Sequence, residues 1–171
     1  MDEGEIATSP KPLSFALPTL VIPKGPTRNW SKTMAGYSGT PLPKKLGLKP
    51  AHRVALLARS GEIDLDPTRK DLPSDLDIKT TLRGSKPFDL ILLPTDKSAE
   101  MIKLAEKAAP RLTPAGMLWL AWPKKASGVP TDLSDGAIRE IGLSLGLVDN
   151  KTCAIDEVWS GLRFVRRIND R

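Results

Sequence analysis

Phe88 to Trp122 reads FDLILLPTDKSAEMIKLAEKAAPRLTPAGMLWLAW, and this stretch decides the fold. Phe88-Asp89-Leu90-Ile91-Leu92-Leu93 is apolar at almost every position, the pattern of a strand buried on both faces rather than one alternating between core and water. From Asp96 the period changes to three and four, with Ile102, Ala105, Ala109 and Leu112 on one stripe. That spacing predicts an amphipathic helix ended near Pro110, with Thr95 or Asp96 placed to cap its first turn. Leu112-Thr113-Pro114-Ala115-Gly116 then turns the chain into a second apolar run, Met117-Leu118-Trp119-Leu120-Ala121-Trp122, stopped by Pro123. Two doubly buried strands joined by a helix imply a parallel pair with a crossover.

The flanking sequence extends this unit in both directions. Upstream, Arg53-Val54-Ala55-Leu56-Leu57-Ala58 is a third apolar run, ended by Arg59-Ser60-Gly61, and Asp77 to Leu82 alternates Ile78, Thr80 and Leu82 before Arg83-Gly84. Pro67, Pro73 and many charges lie between them, so any crossover helix there is short or irregular. Downstream, Leu133, Ala137, Ile138, Ile141 and Leu145 form the stripe of a second helix, with Thr131 or Ser134 as cap and Gly146 as its stop. Leu147 to Ile155 and Leu162 to Arg167 are close enough in sequence for an antiparallel hairpin. The expected fold is a compact Rossmann-like α/β domain: a mostly parallel sheet of five or six strands with a C-terminal antiparallel hairpin.

Composition narrows the rest. With one Cys and one His, neither an internal disulfide nor the three or four nitrogen and sulfur ligands of a structural zinc site can be assembled. Asp2, Glu3 and Glu5 at the start, and Pro18 inside the apolar stretch Phe15 to Ile22, are unlike a secretory signal, and no run reaches the length of a membrane span. A cytoplasmic location follows as the expectation. Eight of the 16 prolines fall in the first 50 residues, so residues 1–33 are expected to be a disordered proline-rich extension and residues 34–171 a single α/β domain. Met34 is an ordinary start, which suggests that the extension lies upstream of a complete domain.

In sheets of this type ligands sit beyond the carboxyl ends of the parallel strands. That face is expected to gather Arg59-Ser60-Gly61-Glu62, Arg83-Gly84, Thr95-Asp96 and Trp122-Pro123 with the loop Lys124-Lys125-Ala126-Ser127-Gly128. Two ammonium groups, a hydroxyl and a flexible glycine ahead of a helix suit a phosphate or carboxylate, although the loop is not a P-loop. The competing reading is a solvated loop whose lysine stems cover Trp119 and Trp122. Asp156-Glu157 beside Trp159 reads as hairpin turn residues, Cys153 as a small apolar side chain, and His52 lies at the opposite end of its strand from the ligand face. Ser127 with Lys124 has no oxyanion arrangement visible in sequence.

Gly36-Tyr37-Ser38-Gly39-Thr40-Pro41-Leu42, Leu46-Gly47, Gly84 with Pro87-Phe88-Asp89, WLAWPKKASGVPTD from Trp119 to Asp132, and GLVDNKTCAIDEVWSGLRFV from Gly146 to Val165 are long, specific motifs. On these, from Gly36 to about Arg167, the chain resembles the small bacterial proteins of domain of unknown function 3052. The resemblance implies a compact α/β domain and brings no activity with it. A weaker similarity is to S-adenosylmethionine-dependent methyltransferases. Leu48-Lys49-Pro50, Phe88 to Leu93, the Leu112 to Gly116 turn and the terminal hairpin occur in that order there. Those enzymes place an acidic residue and several glycines after the first strand. This chain has Ala58-Arg59-Ser60-Gly61-Glu62, and the interval from Ala58 to Phe88 is short for the usual intervening units.

The expected function is a binding module for a small anionic ligand or a protein partner at the carboxyl face of the sheet, with Trp30 or the extension as a possible anchor. One alternative is a methyltransferase-like enzyme with a degenerate cofactor motif, keeping S-adenosylmethionine. Another is a basic nucleic-acid-associated protein. The net charge of +6 invites the last reading, but residues 51–171 carry nineteen Lys or Arg against seventeen acids, and only 5% of residues are aromatic. Tyr37, in the arm from Gly36 to Pro50, either reaches the ligand face or belongs to a strap that covers apolar surface.

Overall fold

The computed structural model describes residues 39–58, 63, 65 and 69–171. The extension 1–33, Tyr37, Arg59 and Ser60 lie outside the described residues. Six strands form one sheet in the order β2-β1-β3-β4-β6-β5: β1 is Arg53–Leu56, β2 Asp77–Lys79, β3 Phe88–Pro94, β4 Leu112–Pro123, β5 Val148–Ala154 and β6 Trp159–Val165. The first four are parallel, and the β5–β6 hairpin joins antiparallel, with β6 against β4 and β5 at the edge. The three helices are α1 Leu42–Leu46, α2 Ser98–Ala108 and α3 Asp135–Ser144.

The doubly apolar runs are what make both faces of this sheet core. In β4, Leu118, Leu120 and Trp122 pack with Met101 and Ala105 of α2 and Ile138 and Ile141 of α3, whereas Trp119 and Ala121 point to the other face. That second face carries no long helix among the described residues. It is covered by Leu46 and Leu48 of the N-terminal arm and by Ile63 and Leu65 of the β1–β2 connection. A register shift between Phe88 and Leu90 places Phe88 on the helical face with Ile91 and Leu93.

Several expected boundaries move. β1 ends at Leu56 and β2 at Lys79, shorter than their apolar patterns. Leu57 still follows the sheet, its N–H donating to Leu92 O at 2.9 Å. β4 starts at Leu112, so Leu112 to Gly116 enters the strand through its irregular register rather than turning before it. The first residue flanking α2 is Lys97, not Thr95 or Asp96, and its side chain makes no cap bond. Ser134 does cap α3, accepting from Ala137 N–H at 3.2 Å, and Gly146 leaves the helix with φ +76°. Among the described residues no helix is long and apolar enough to cross a membrane.

Candidate functional site

Parallel strands β1, β3 and β4 all end at one edge of the sheet, so Leu57 and Ala58, the turn Thr95–Lys97 and the loop from Lys124 to Ser134 come together there. These segments are fastened to one another. Thr95, 5% exposed, donates its N–H to Ala121 O at 3.1 Å and its hydroxyl to Glu100 Oε2 at 2.6 Å. Thr131 donates its hydroxyl to Asp96 O at 2.8 Å, and the Asp132 carboxylate accepts from both Ser98 N–H, 2.7 Å, and Ser98 Oγ, 2.8 Å. The chain therefore supplies its own anion to the N-terminus of α2, where unsatisfied N–H groups favour one.

The lysine loop is internally satisfied in the same way. Lys124 Nζ donates to Asp156 O at 2.5 Å, and its N–H donates to Val158 O at 2.8 Å, which clips the loop to the β5–β6 hairpin. Ser127 Oγ donates to Lys124 O at 2.6 Å and accepts from Val129 N–H at 3.3 Å. The hydroxyl thus builds the turn, and no described bond joins it to the Lys124 ammonium. Gly128 is needed for that turn, since its φ of +72° is strained for any side chain. Lys125 is exposed, as is Lys97, and Asp96 is half-buried. Thr95, Asp96, Lys124, Lys125, Ser127 and Gly128 are thus brought to one edge as the sequence suggests, but Arg83-Gly84 is not: Gly84 O accepts from Arg111, just ahead of β4 at the opposite, amino edge. Asp132 is the residue that sequence reasoning missed, because its partner lies 34 residues away in the chain.

Asp156, Cys153 and His52 have structural places. Asp156 Oδ1 accepts from the N–H groups of Val158 and Trp159, both at 2.7 Å, and so shapes the hairpin turn. Burial pushes the Cys153 thiol up, against nearby Lys151, Lys45 and Arg163, which keeps it a thiol rather than a thiolate nucleophile. His52 accepts from Lys49 N–H through Nδ1 at 3.4 Å, just ahead of β1 and away from the carboxyl edge. Among the described residues no group of three or more His, Cys, Asp and Glu is placed to hold a metal ion.

The hydrogen bonds from the Ser98 hydroxyl and N–H hold the Asp132 carboxyl below its ordinary value. A carboxylate with a lowered folded pKa contributes stability that is complete above the unfolded value, about 3.9, and is lost as pH falls through the lower folded value. Asp132→Asn is therefore expected to be less stable than the unchanged protein at neutral pH, with the gap closing on acidification. Denaturant titrations at a series of pH values check this, and a gap independent of pH means the charge of Asp132 does not hold the helix.

No family model matches the chain, no curated protein matches it, and the likeness to domain of unknown function 3052 rests on the motifs quoted above. Solved structures do align with it. Magnesium protoporphyrin IX methyltransferase from Synechocystis PCC 6803 with bound SAM aligns at 13% identity and TM-score 0.47, over 74% of each chain. An N-methyltransferase from Bradyrhizobium japonicum WM9 aligns at 19% identity and TM-score 0.38, over 53% of this chain and 60% of the other. A methyltransferase from Pyrococcus furiosus aligns at 22% identity and TM-score 0.39, over 56% of this chain and 52% of the other. The chain thus spans little more than half of the latter two proteins.

Proposed function

We propose that this chain is a noncatalytic binding module of the domain of unknown function 3052 kind, whose carboxyl edge docks a protein partner. The observation that carries the reading is the joint between the two loops. A small-anion site needs donors aimed into an open space, whereas here Lys124 Nζ, Ser127 Oγ, and Ser98 N–H and Oγ all have acceptors within the chain. What faces outward is a stiff, mixed surface with the ammonium groups of Lys97 and Lys125, the half-buried Asp96 and Val129, which is 38% exposed. Preordered backbone and mixed polarity suit a protein interface, because little is lost in ordering on association.

The experiment places a photo-crosslinking residue at position 125 and, as a control, at position 103 on the middle of α2. A discrete adduct from 125, lost when Lys97→Ala is added and not seen from 103, supports docking at the edge. The competing small-anion reading keeps Lys125 and Gly128 together with Arg59 and Ser60, and adds Lys97 beside Asp96. A thermal-shift screen with inorganic phosphate and ATP decides for it if stabilisation appears and disappears in the Lys97→Ala, Lys125→Ala double variant.

A second reading, a methyltransferase-like site for S-adenosylmethionine, is favoured by the strand order, with the last strand tucked between β4 and β5. Asp96, Glu100, Asp132 and Asp156 also make this edge kinder to a sulfonium and an ammonium than to a phosphate. The residues fit that cofactor poorly, because one glycine, Gly61, follows β1 where such enzymes carry several, and no catalytic step is derived through it. Stabilisation by S-adenosylmethionine in the same screen selects this reading over docking.

A further inference from the structure

We propose that the β5–β6 hairpin carries a site for a compact oxyanion, phosphate or carboxylate, on the face of the sheet that the N-terminal arm covers, with Arg163 and Lys151 as the groups that hold it. Arg163 of β6 and Lys151 of β5 stand directly opposite each other in the antiparallel register. Their side chains therefore leave the same face as cross-strand neighbours. Like charges in that position repel, and a carboxylate beside them would ordinarily relieve the repulsion. The nearest acid in the strand does not do so. Asp149 turns to the helical face and pairs with Arg139 of α3 at 3.1 Å.

Every group that holds the Arg163 guanidinium is neutral. Its Nε donates to Asn150 Oδ1 at 2.8 Å, its Nη1 to Met117 Sδ at 3.7 Å, and its carbon lies 5.9 Å from the centroid of the Trp119 ring. A register shift between Asp149 and Lys151 inserts Asn150 at this point, the kind of bulge that re-aims a side chain. The guanidinium is thus fixed without being neutralised. Burial pulls it below its ordinary value, and the group acting against that is Cys153, with no carboxylate among the described residues. A half-buried cation held in place without a counter-ion is costly, and an anion bound there completes the arrangement.

The donors are within reach of such an anion. Arg163 Nη2 makes no hydrogen bond to a described residue and is not buried, so its N–H groups open to solvent. Lys151 Nζ gives one of its donors to Lys45 O at 2.7 Å and keeps the others. A guanidinium edge beside an ammonium suits the paired oxygens of a phosphate or carboxylate. After burial, what acts on the adjoining Cys153 thiol is the charge of Lys151, Lys45, Arg163 and Lys124, all of one sign. The arm closes one side of the site. A methyl placed on Gly47, which caps α1 with φ +83°, would lie 3.4 Å from Arg163 Nη1, and this confinement favours a single headgroup over a polymer.

The test is an amide NMR titration of the full chain with inorganic phosphate and, in parallel, with succinate, each against sodium chloride at matched ionic strength. Saturable shifts are expected at the amides of Gly47 and of Asn150 to Cys153 and at Arg163 Nε, with no such pattern from sodium chloride. Lys151→Gln should weaken the binding by about tenfold or more, through loss of a charge-assisted hydrogen bond, and Arg163→Gln by at least as much. Lys103→Gln, on the exposed side of α2, should change it by less than about twofold. Thermal melts confirm that the variants fold, and Lys151→Gln decides alone if Arg163→Gln does not. Binding of either anion with this pattern supports the site, and the tighter of the two identifies its headgroup. The proposal is overturned if neither anion shifts these signals, if sodium chloride shifts them equally, or if Lys151→Gln leaves the affinity unchanged. It is also overturned if the binding is lost in the Lys97→Ala, Lys125→Ala variant, which would assign the anion to the carboxyl edge.

Discussion

Gly142→Ala is expected to lower the melting temperature by roughly 6 to 12 °C, the consequence of about 3 kcal/mol of overpacking in a chain of this size. The direction is informative because alanine in place of a helical glycine ordinarily stabilises by about 0.5–1 kcal/mol. Here the added methyl would lie 2.0 Å from Cε1 of Phe164, 2.3 Å from Cδ1 and 2.4 Å from Cζ. Phe164 is 0% exposed in β6 and sits in the same core cluster as Leu118, Leu162 and Ile138, so the ring has no empty volume to swing into. Gly136, in the first turn of the same helix, is the internal comparison. Its added methyl would meet only Ser134 Oγ at 4.0 Å, so Gly136→Ala should be neutral or mildly stabilising. Phe164→Leu in the Gly142→Ala background should recover part of the loss. If the two alanine variants melt together, α3 does not seat its backbone on Phe164.

The close approach at Gly142 shows which features of this fold are legible in the chain. The apolar runs of β3 and β4 declare themselves because each is a local pattern repeated over six residues, and the three-and-four spacing finds α2 as a helix but not its buried face: Ile102 is 43% exposed, and Met101, Ala105 and Ala108 meet the core instead. The hairpin declares itself because its strands are near neighbours in sequence. What stays hidden is pairing between distant segments: the Asp132 carboxylate on Ser98, the Lys124 ammonium on the Asp156 carbonyl, and Phe164 against Gly142. The alternation of Ile78, Thr80 and Leu82 suggests a strand to Leu82, yet β2 stops at Lys79. The chain must return to the start of β3 within eight residues, and Leu82 is drawn instead into the core on the helical face. Likewise the lysine loop is correctly placed at the carboxyl edge, but its donors had to be seen with their acceptors before a ligand role could be weighed.

Trp119→Ala should cost about 3–5 kcal/mol, the largest loss expected from a single truncation in the core. Among the described residues Trp119 is the largest fully buried side chain, on the face of β4 that carries no long helix. Its indole Nε1 donates to Leu46 O at 3.0 Å, and Arg163 approaches its ring at 5.9 Å. The five-residue α1 is far too short to persist alone, so its position depends on Leu46, 0% exposed, being seated beside this ring. The loss should therefore be visible locally before it is visible globally. Amide exchange at Lys45, Gly47 and Leu48, whose N–H groups donate to Pro41 O and Pro43 O, should accelerate more than exchange in α2. Trp119→Phe separates the two contributions: it keeps most of the apolar area and removes the donor to Leu46 O, for an expected loss of about 1–3 kcal/mol. If α1 amides keep their protection in Trp119→Ala while those of α2 open, the arm is held by contacts other than this ring.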